Sequence, residues 1–131
     1  MSFNAFVGGV QPGGLTNDFE VKLLVCYLLD SLKQPLLFEQ LGEIFQNTGL
    51  VNYFEFVEAV SELERTGQLT SSIQDGQQLL ALTENGTVTA QTFYKTIPKS
   101  AREKALEEAK RLMEIQRCMD KVISTLSMHR W

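Results

Sequence analysis

The residue types best suited to covalent catalysis or metal binding are few and widely separated in this sequence. Cys26 and Cys118 lie on different predicted helices, and neither has a second cysteine or a histidine at metal-ligand spacing. The only histidine in the sequence, His129, lies in a terminal segment that is expected to fray, so a Cys–His nucleophile pair is not expected. No glycine-rich phosphate loop follows a predicted strand. The sequence therefore predicts a protein that is not an enzyme, with two free thiols and no metal or cofactor.

A second candidate chemistry is the recognition of DNA by a polar helix surface. One predicted helix in the middle of the chain presents polar or small side chains on a single face, and these candidate recognition positions are Asn52, Glu55, Glu58, Ala59 and Glu62. A carboxylate can accept a hydrogen bond from cytosine, but it repels the phosphate backbone unless cations lie nearby. The predicted wing that follows this helix also lacks lysine and arginine, and its candidate contact residues are Gln74, Asp75, Gly76 and Gln77.

The charged residues divide the chain into an acidic part and a basic part. Residues 1–94 hold three basic and eleven acidic side chains, a net charge of −8, whereas residues 95–131 hold nine basic and five acidic side chains, a net charge of +4. The cations that DNA binding requires are therefore concentrated in the second part. The candidate basic contacts are Lys95, Lys99, Arg102, Lys104, Lys110 and Arg111. The alternative is a solvated helix face with intrahelical pairs such as Glu107 with Arg111.

The elements that would position these residues are mostly helices. Apolar periodicity, proline breaks and capping residues such as Asn17 and Asn52 predict helices over about 18–33, 39–46, 53–65, 84–96 and 101–126. The run from Leu36 to Phe38 predicts a short strand, and Asp75-Gly76 between two strand-like runs predicts a β-hairpin. On the helix over 53–65, the side chains expected to face the core, against Leu24 and Leu28, are Tyr53, Phe56, Val57, Val60 and Leu63.

The order of helix, short strand, helix, helix and hairpin is that of a winged helix, in which the hairpin is the wing. The predicted fold class is mainly α with a small β-hairpin wing: a winged helix-turn-helix followed by a long C-terminal helix. We expect a flexible N-terminal arm over 1–15, a winged-helix domain over 16–97, the long helix over 98–127 and a tail over 128–131. A generic helical bundle with one hairpin is the alternative.

The long C-terminal helix carries a candidate dimer seam. Its members recur at alternating steps of four and three residues, which is the pattern of a coiled coil with one polar position. They are Ala105, Ala109, Leu112, Gln116, Met119, Ile123 and Leu126. The seam favours a homodimer, and the alternative is that the same residues pack on their own domain.

Several segments spread over residues 12–117 also carry a family resemblance. They are Pro12-Gly13-Gly14-Leu15, EVKLLVCYLLD (20–30), LVNYFEF (50–56), LTENG (82–86) and IPKSAREK (97–104). Together they resemble a bacterial family known as a domain of unknown function, DUF4364, which is similar to winged-helix transcriptional regulators. LVNYFEF is the most specific of these segments, whereas the LTENG pattern after a wing is common to many such regulators. The resemblance implies a winged-helix fold and a role in transcription.

Two functions remain open from the sequence. The first is a DNA-binding transcriptional regulator, in which the third helix enters the major groove and the C-terminal cations reach phosphate. The alternative is a winged-helix protein–protein interaction or dimerisation module that does not bind DNA, which the acidic recognition face favours. No stretch approaches the ~18 apolar residues of a membrane span, and no secretory signal is recognisable. We therefore expect a cytoplasmic protein without a membrane partner, and the sequence indicates no small-molecule ligand.

Overall fold

The computed structural model describes the backbone of residues 18–128 and the side chains of residues 18–122. Within that range, the chain forms five α-helices and one three-stranded antiparallel sheet. Their bounds are α1 (Asp18–Leu32), β1 (Leu36–Leu37), α2 (Phe38–Thr48), α3 (Tyr53–Arg65), β2 (Leu69–Gln74), β3 (Gln77–Leu82), α4 (Glu84–Phe93), a 3-10 turn (Tyr94–Thr96) and α5 (Lys99–Met128). The predicted fold class is confirmed: the fold is mainly α, with a β-hairpin wing and a long C-terminal helix.

Helix α1 forms the centre of the core because it is apolar on nearly every side. Its buried residues are Val21, Leu23, Leu24, Val25, Cys26, Leu28 and Leu29. They are enclosed by α3, α4 and α5, all of which contact α1. The helix ends where Lys33 adopts a φ of 57° and donates its N–H to Leu29 O at 3.1 Å. Pro35 then directs the chain into β1.

Helix α2 begins without a polar side chain at its N-cap position, Leu37. The backbone N–H of Leu37 instead donates to Oε1 of Gln40 at 2.8 Å, so a side chain from the first turn satisfies it. At the other end, Gly49 adopts a φ of 67° and donates its N–H to Phe45 O, which is the left-handed cap that glycine favours. The helix is therefore slightly longer at both ends than the sequence predicted.

The sheet has the strand order β1-β3-β2, so the short strand pairs with the inner strand of the hairpin. Leu36 lies opposite Leu80, and both side chains are buried in the core. The hairpin turn is formed by Asp75 with a φ of 54° and Gly76 with a φ of 79°. Positive φ at both positions is what a two-residue type I′ turn requires. The predicted hairpin and its turn are confirmed.

The buried face of α3 differs from the predicted one. The residues that pack inward are Phe56, Ala59, Val60 and Leu63. Tyr53 and Val57 are exposed, so their assignment to the core was wrong. The sequence reasoning followed only the larger apolar residues and left out Ala59. Successive residues of a helix are rotated by about 100°, so a buried face that includes Ala59 is centred further from Tyr53 and Val57 than the predicted face was.

Helix α5 has two halves with different surroundings. In the first half, Ala101, Ala105 and Ala109 are buried at four-residue spacing, and the helix packs on α1 and α2. Small side chains at these positions let the helix backbones approach closely. From Glu114 to Val122 every residue is exposed. The helix is therefore held by its first half, and its second half extends beyond the packed core.

Some predicted features lie outside the described residues. They are the arm over 1–15, the cap Asn17, the residues 129–131 of the tail, and the side chains of Ile123 and Leu126. Among the helices described between residues 18 and 128, none combines the length and the apolar content needed to cross a bilayer.

Candidate interaction surface on helix α3 and the wing

The start of α3 is set by Asn52. Its side-chain oxygen accepts hydrogen bonds from the backbone N–H of Phe54 at 2.7 Å and of Glu55 at 3.4 Å. This is the predicted N-cap, and it satisfies donors that the first turn of a helix leaves unpaired. Asn52 was predicted to be part of the recognition surface, but its side-chain oxygen is engaged by the backbone of its own helix.

The outward surface of α3 is apolar at its N-terminal end. Phe54 is 81% exposed, Tyr53 is 62% exposed and Val57 is 38% exposed. Phe54 and Val57 are three residues apart and therefore neighbours on the helix surface. Grouped exposed apolar side chains are more informative than single ones, because they mark contact surfaces. The sequence analysis did not identify Phe54 as part of this surface. If Ala59 had been counted as a core position, the helical periodicity would have predicted that Tyr53, Phe54 and Val57 are exposed.

The other residues assigned to the recognition face have different surroundings. Glu58 is exposed, in agreement with the prediction. Glu62 accepts hydrogen bonds from Arg65 at 2.7 Å and 3.1 Å, so its charge is compensated within the helix. Ala59 is fully buried, and its assignment to the recognition surface was wrong for the same geometric reason as that of Val57.

Glu55 occupies the flank of α3 that lies toward the start of α1. The residue is half-buried, and its Oε2 is buried without a hydrogen-bond partner among the described residues. Burial, and then the charges of Asp18 and Glu58, raise the pKa of Glu55 above its usual value. Asp18 is itself paired with Lys22 at 3.1 Å, so Glu55 and Glu58 are the carboxylates on this flank that form no ion pair with a described residue.

The wing formed by β2 and β3 is polar but carries no cation. Its tip, residues 74–77, is exposed. Glu64 ties the wing to α3, since its carboxylate accepts hydrogen bonds from Ser71 Oγ at 3.1 Å and from Gln78 Nε2 at 3.2 Å. Ile73 on β2 is exposed. Because residues 66–94 contain no lysine or arginine, the wing offers only neutral, acidic and apolar contacts.

A shallow depression lies beside Tyr53 between the N-terminal parts of α2 and α3. It has a volume of about 270 Å³ and is lined by Phe38, Glu39, Gly42, Glu43, Gln46 and Tyr53. Glu39 and Glu43 are exposed. The depression thus has aromatic walls and an acidic rim, and it extends the apolar surface of α3.

Half of the candidate basic residues are engaged within the chain. The guanidinium of Arg102 lies 5.1 Å from the centre of the Tyr94 ring and donates to Ile97 O at 3.2 Å. The ammonium of Lys95 lies 6.0 Å from the same ring. Arg111 forms an ion pair of 2.7 Å.

The partner of Arg111 is Glu108, three residues away, rather than the predicted Glu107. Glu108 also accepts from Asn47 Nδ2 of α2 at 2.8 Å. These hydrogen bonds, first that of Arg111 and then that of Asn47, lower the pKa of Glu108 to about 2. The hydrogen bond between Asn47 and Glu108 joins α5 to α2, and the charge of the exposed Arg111 is compensated within its own helix.

Three of the candidate cations have no ion-pair or cation–π partner among the described residues. Lys99, Lys104 and Lys110 are exposed and form no ion pair with any described residue. They lie on α5, which packs on α1 and α2. They are therefore carried by a different element from the one that carries Phe54 and Glu58.

The residues of the candidate seam do not form one continuous surface. Ala105 and Ala109 are buried within their own chain, so their assignment to an interface with a second copy is corrected. Leu112 is half-buried, and Gln116 is exposed and donates to Asp120 at 2.8 Å. Met119 is exposed. Among the seam residues whose side chains are described, only Gln116 and Met119 are exposed.

Potential metal ligands and the two thiols are separated from one another in the described part of the chain. No three His, Cys, Asp or Glu side chains between residues 18 and 128 lie close enough to hold a metal ion. Burial, and then Asp30, raise the pKa of the Cys26 thiol to about 12, so Cys26 is a core residue rather than a nucleophile. Cys118 is an exposed free thiol.

Comparison with known protein families extends this description. The profile of the family described as "Domain of unknown function (DUF4364)" matches residues 21–128. The chain belongs to the DUF4364 family. The match includes α3, the wing and α5, so these elements are parts of the DUF4364 domain. No curated protein and no solved structure matched the chain.

Proposed function

We propose that this DUF4364 chain is a winged-helix module that binds another protein through α3 and the wing, and that this surface does not bind DNA. The observation that carries the proposal is the composition of the exposed surface. Phe54, Tyr53 and Val57 are exposed beside the carboxylate of Glu58. The only cation of α3, Arg65, is already paired.

The charge of α3 opposes its entry into a DNA groove. Affinity for duplex DNA comes largely from lysine and arginine side chains that displace counterions from phosphate. Helix α3 carries four glutamates and one arginine, and the wing adds Asp75 without any cation. Each uncompensated carboxylate close to phosphate costs about 0.5–1 kcal/mol at low salt. In this chain, DNA phosphate would therefore repel the surface that other winged helices direct at DNA.

The same features define the partner that fits. Exposed aromatic side chains are typical anchors of protein interfaces. The acidic rim of the depression, Glu39 and Glu43, together with Glu58 on α3, attracts a positively charged partner and accelerates the encounter with it. The surface thus suits a protein segment with apolar side chains flanked by lysine or arginine. We place this interaction in the bacterial cytoplasm, where two free thiols remain reduced.

A DNA-binding transcriptional regulator is the second candidate, and one observation favours it. Lys99, Lys104 and Lys110 are exposed on one helix without ion-pair partners among the described residues. In this candidate α5 would contact phosphate, while α3 would approach a groove at cytosine-rich positions where a carboxylate can accept from the N4 amino group. The order of elements and the resemblance to winged-helix regulators also favour it.

Fluorescence anisotropy with mixed-sequence duplex DNA separates the two candidates. The interaction module predicts no binding even at low salt. A regulator predicts binding that weakens steeply with salt and is abolished by the double change Lys99→Glu and Lys104→Glu. Glu58→Gln is the matched control on α3, since it removes one negative charge and leaves α5 unchanged. Salt-sensitive binding by the wild-type chain would contradict the interaction module.

A further inference from the structure

We propose that two copies of this chain associate through the second half of α5, as an antiparallel helix pair centred on Met119. The proposal concerns a different surface from that of α3 and does not depend on it.

The second half of α5 presents an apolar stripe that its own domain leaves uncovered. Ile115 is 44% exposed, Met119 is 55% exposed and Val122 is 57% exposed. Their spacing of four and three residues places them on one side of the helix. All residues from 114 to 122 are exposed, so no part of the described fold packs on this stripe.

Packing within the chain accounts for the first half of the helix only. Ala101, Ala105 and Ala109 hold it against α1 and α2. A 30-residue helix is about 45 Å long, which is far longer than those contacts require. Apolar residues continue at helical spacing past the last contact, and that continuation needs a covering surface outside the domain.

The order of apolar residues on either side of Met119 is symmetric, and the half-buried Leu112 at one end of this set also packs against the core of its own domain. Counted from Met119, leucine stands seven residues before and seven after, and isoleucine stands four before and four after. The positions are Leu112, Ile115, Met119, Ile123 and Leu126. In an antiparallel pair with its twofold axis at Met119, position 112 of one copy lies beside position 126 of the other, and position 115 lies beside position 123. This self-complementarity is what a symmetric homodimer requires, because the same patch serves both copies.

The charges of this segment favour a second copy of the chain as the partner rather than a strongly charged macromolecule. The charges of the rest of the chain favour an antiparallel pair over a parallel one. The segment 114–122 holds two acidic and two basic side chains, so it neither repels itself nor attracts a strongly charged partner. Glu114 and Arg117 already form an ion pair of 2.6 Å. Each copy also carries a net charge of −8 over residues 1–94. An antiparallel pair places these acidic parts at opposite ends, whereas a parallel pair places them side by side.

The oligomeric state is the first test. The paired segments are short, so we expect a monomer–dimer equilibrium with a micromolar dissociation constant, and a dimer at about 100 µM by light scattering. Met119→Lys should give a monomer with unchanged helix content by circular dichroism. Val88→Lys is the matched control, since Val88 is an exposed apolar residue of α4, and this variant should remain dimeric. A monomeric wild-type chain at that concentration, or a dimeric Met119→Lys variant, would overturn the proposal.

The native cysteines make the orientation measurable with a short bismaleimide crosslinker. Cys118 is exposed next to Met119, whereas Cys26 is buried and does not react in the folded chain. In the antiparallel pair the two Cys118 residues lie about 3 Å apart along the helix axis, so the wild-type dimer should crosslink. In Arg111→Cys with Cys118→Ser, the two introduced cysteines lie about 24 Å apart along the axis and should not crosslink. Efficient crosslinking through position 111 would establish a parallel pair and refute the antiparallel one.

Discussion

Replacing Gly86 by alanine should destabilise the fold, because this glycine allows a close approach that no other residue permits. Gly86 is buried in the first turn of α4. A Cβ at this position would overlap the backbone oxygen of Gln68 and lie 2.5 Å from Leu82 Cδ1. The end of a leucine side chain can rotate away, but the oxygen of Gln68 moves only with the backbone that carries it.

The size of the effect follows from what would have to move. Gln68 O accepts the N–H of Thr83 at 3.0 Å, and Thr83 Oγ1 accepts the N–H of Gly86 at 3.1 Å. Steric overlap in a packed site costs about 1–3 kcal/mol, and a lost hydrogen bond costs about 1 kcal/mol more. Alanine recovers about 1 kcal/mol through its higher helix propensity. The net loss in the free energy of unfolding should be about 2 kcal/mol.

Urea denaturation followed by circular dichroism measures this loss, with Gly42→Ala as the matched control. Gly42 is also a helical glycine, but a Cβ there meets only Phe56 Cε2 at 3.4 Å, an ordinary contact. Gly42→Ala should therefore be neutral or stabilising by up to about 1 kcal/mol. Wild-type stability in Gly86→Ala, or an equal loss in both variants, would show that the close approach at α4 is not as described.

Three further predictions concern the core and two carboxylates whose pKa values are shifted, Glu108 and Glu55. Val60→Ala should lower the free energy of unfolding by about 1–3 kcal/mol in urea denaturation, because Val60 is buried in α3; a neutral effect would place Val60 outside the core. Glu108→Gln should be destabilising by about 1 kcal/mol at pH 7, since the charged form holds Arg111 and Asn47. Because the pKa of Glu108 is lowered, its contribution to the free energy of unfolding is fully present above about pH 4.5 and is lost as the pH falls toward about 2. A difference in stability between the wild type and Glu108→Gln that does not change with pH would contradict this. The pKa of Glu55 is raised, so its ionised form is the unfavourable one, and Glu55→Gln should be more stable than wild type at neutral pH. That gain should shrink as the pH falls in a series of thermal melts, and a gain that grows toward acid would reverse the assignment.

Features set by local chemistry were predictable from the sequence. The Asp75-Gly76 turn needs only two residues that tolerate positive φ, and both adopt it. The Asn52 cap needs only an acceptor placed before a helix. Such signals act over a few residues, so the surrounding fold does not alter them.

Features set by packing were predicted less well. Ala59 lies in the core because α3 approaches its neighbours closely there, and side-chain hydrophobicity alone does not reveal that distance. The heptad pattern of α5 shows which residues share a face but not where the domain stops covering it, so Ala105 and Met119 were assigned to one seam although only Met119 is accessible. Arg111 had acidic neighbours at both i−3 and i−4, and the hydrogen bond of Asn47 to Glu108 favours the former.

Photo-crosslinking from Phe54 tests the proposed interaction surface most directly. Benzoylphenylalanine would replace Phe54 on α3 and, as the control, Val88 on α4, which is also an exposed apolar residue. The chain would then be irradiated in cells that naturally produce it. We expect a discrete protein adduct from position 54 and none from position 88. The adduct should decrease with Glu43→Lys, because the proposed partner segment is basic. An adduct to DNA from position 54, or protein adducts that are equal at both positions and insensitive to Glu43→Lys, would contradict the account.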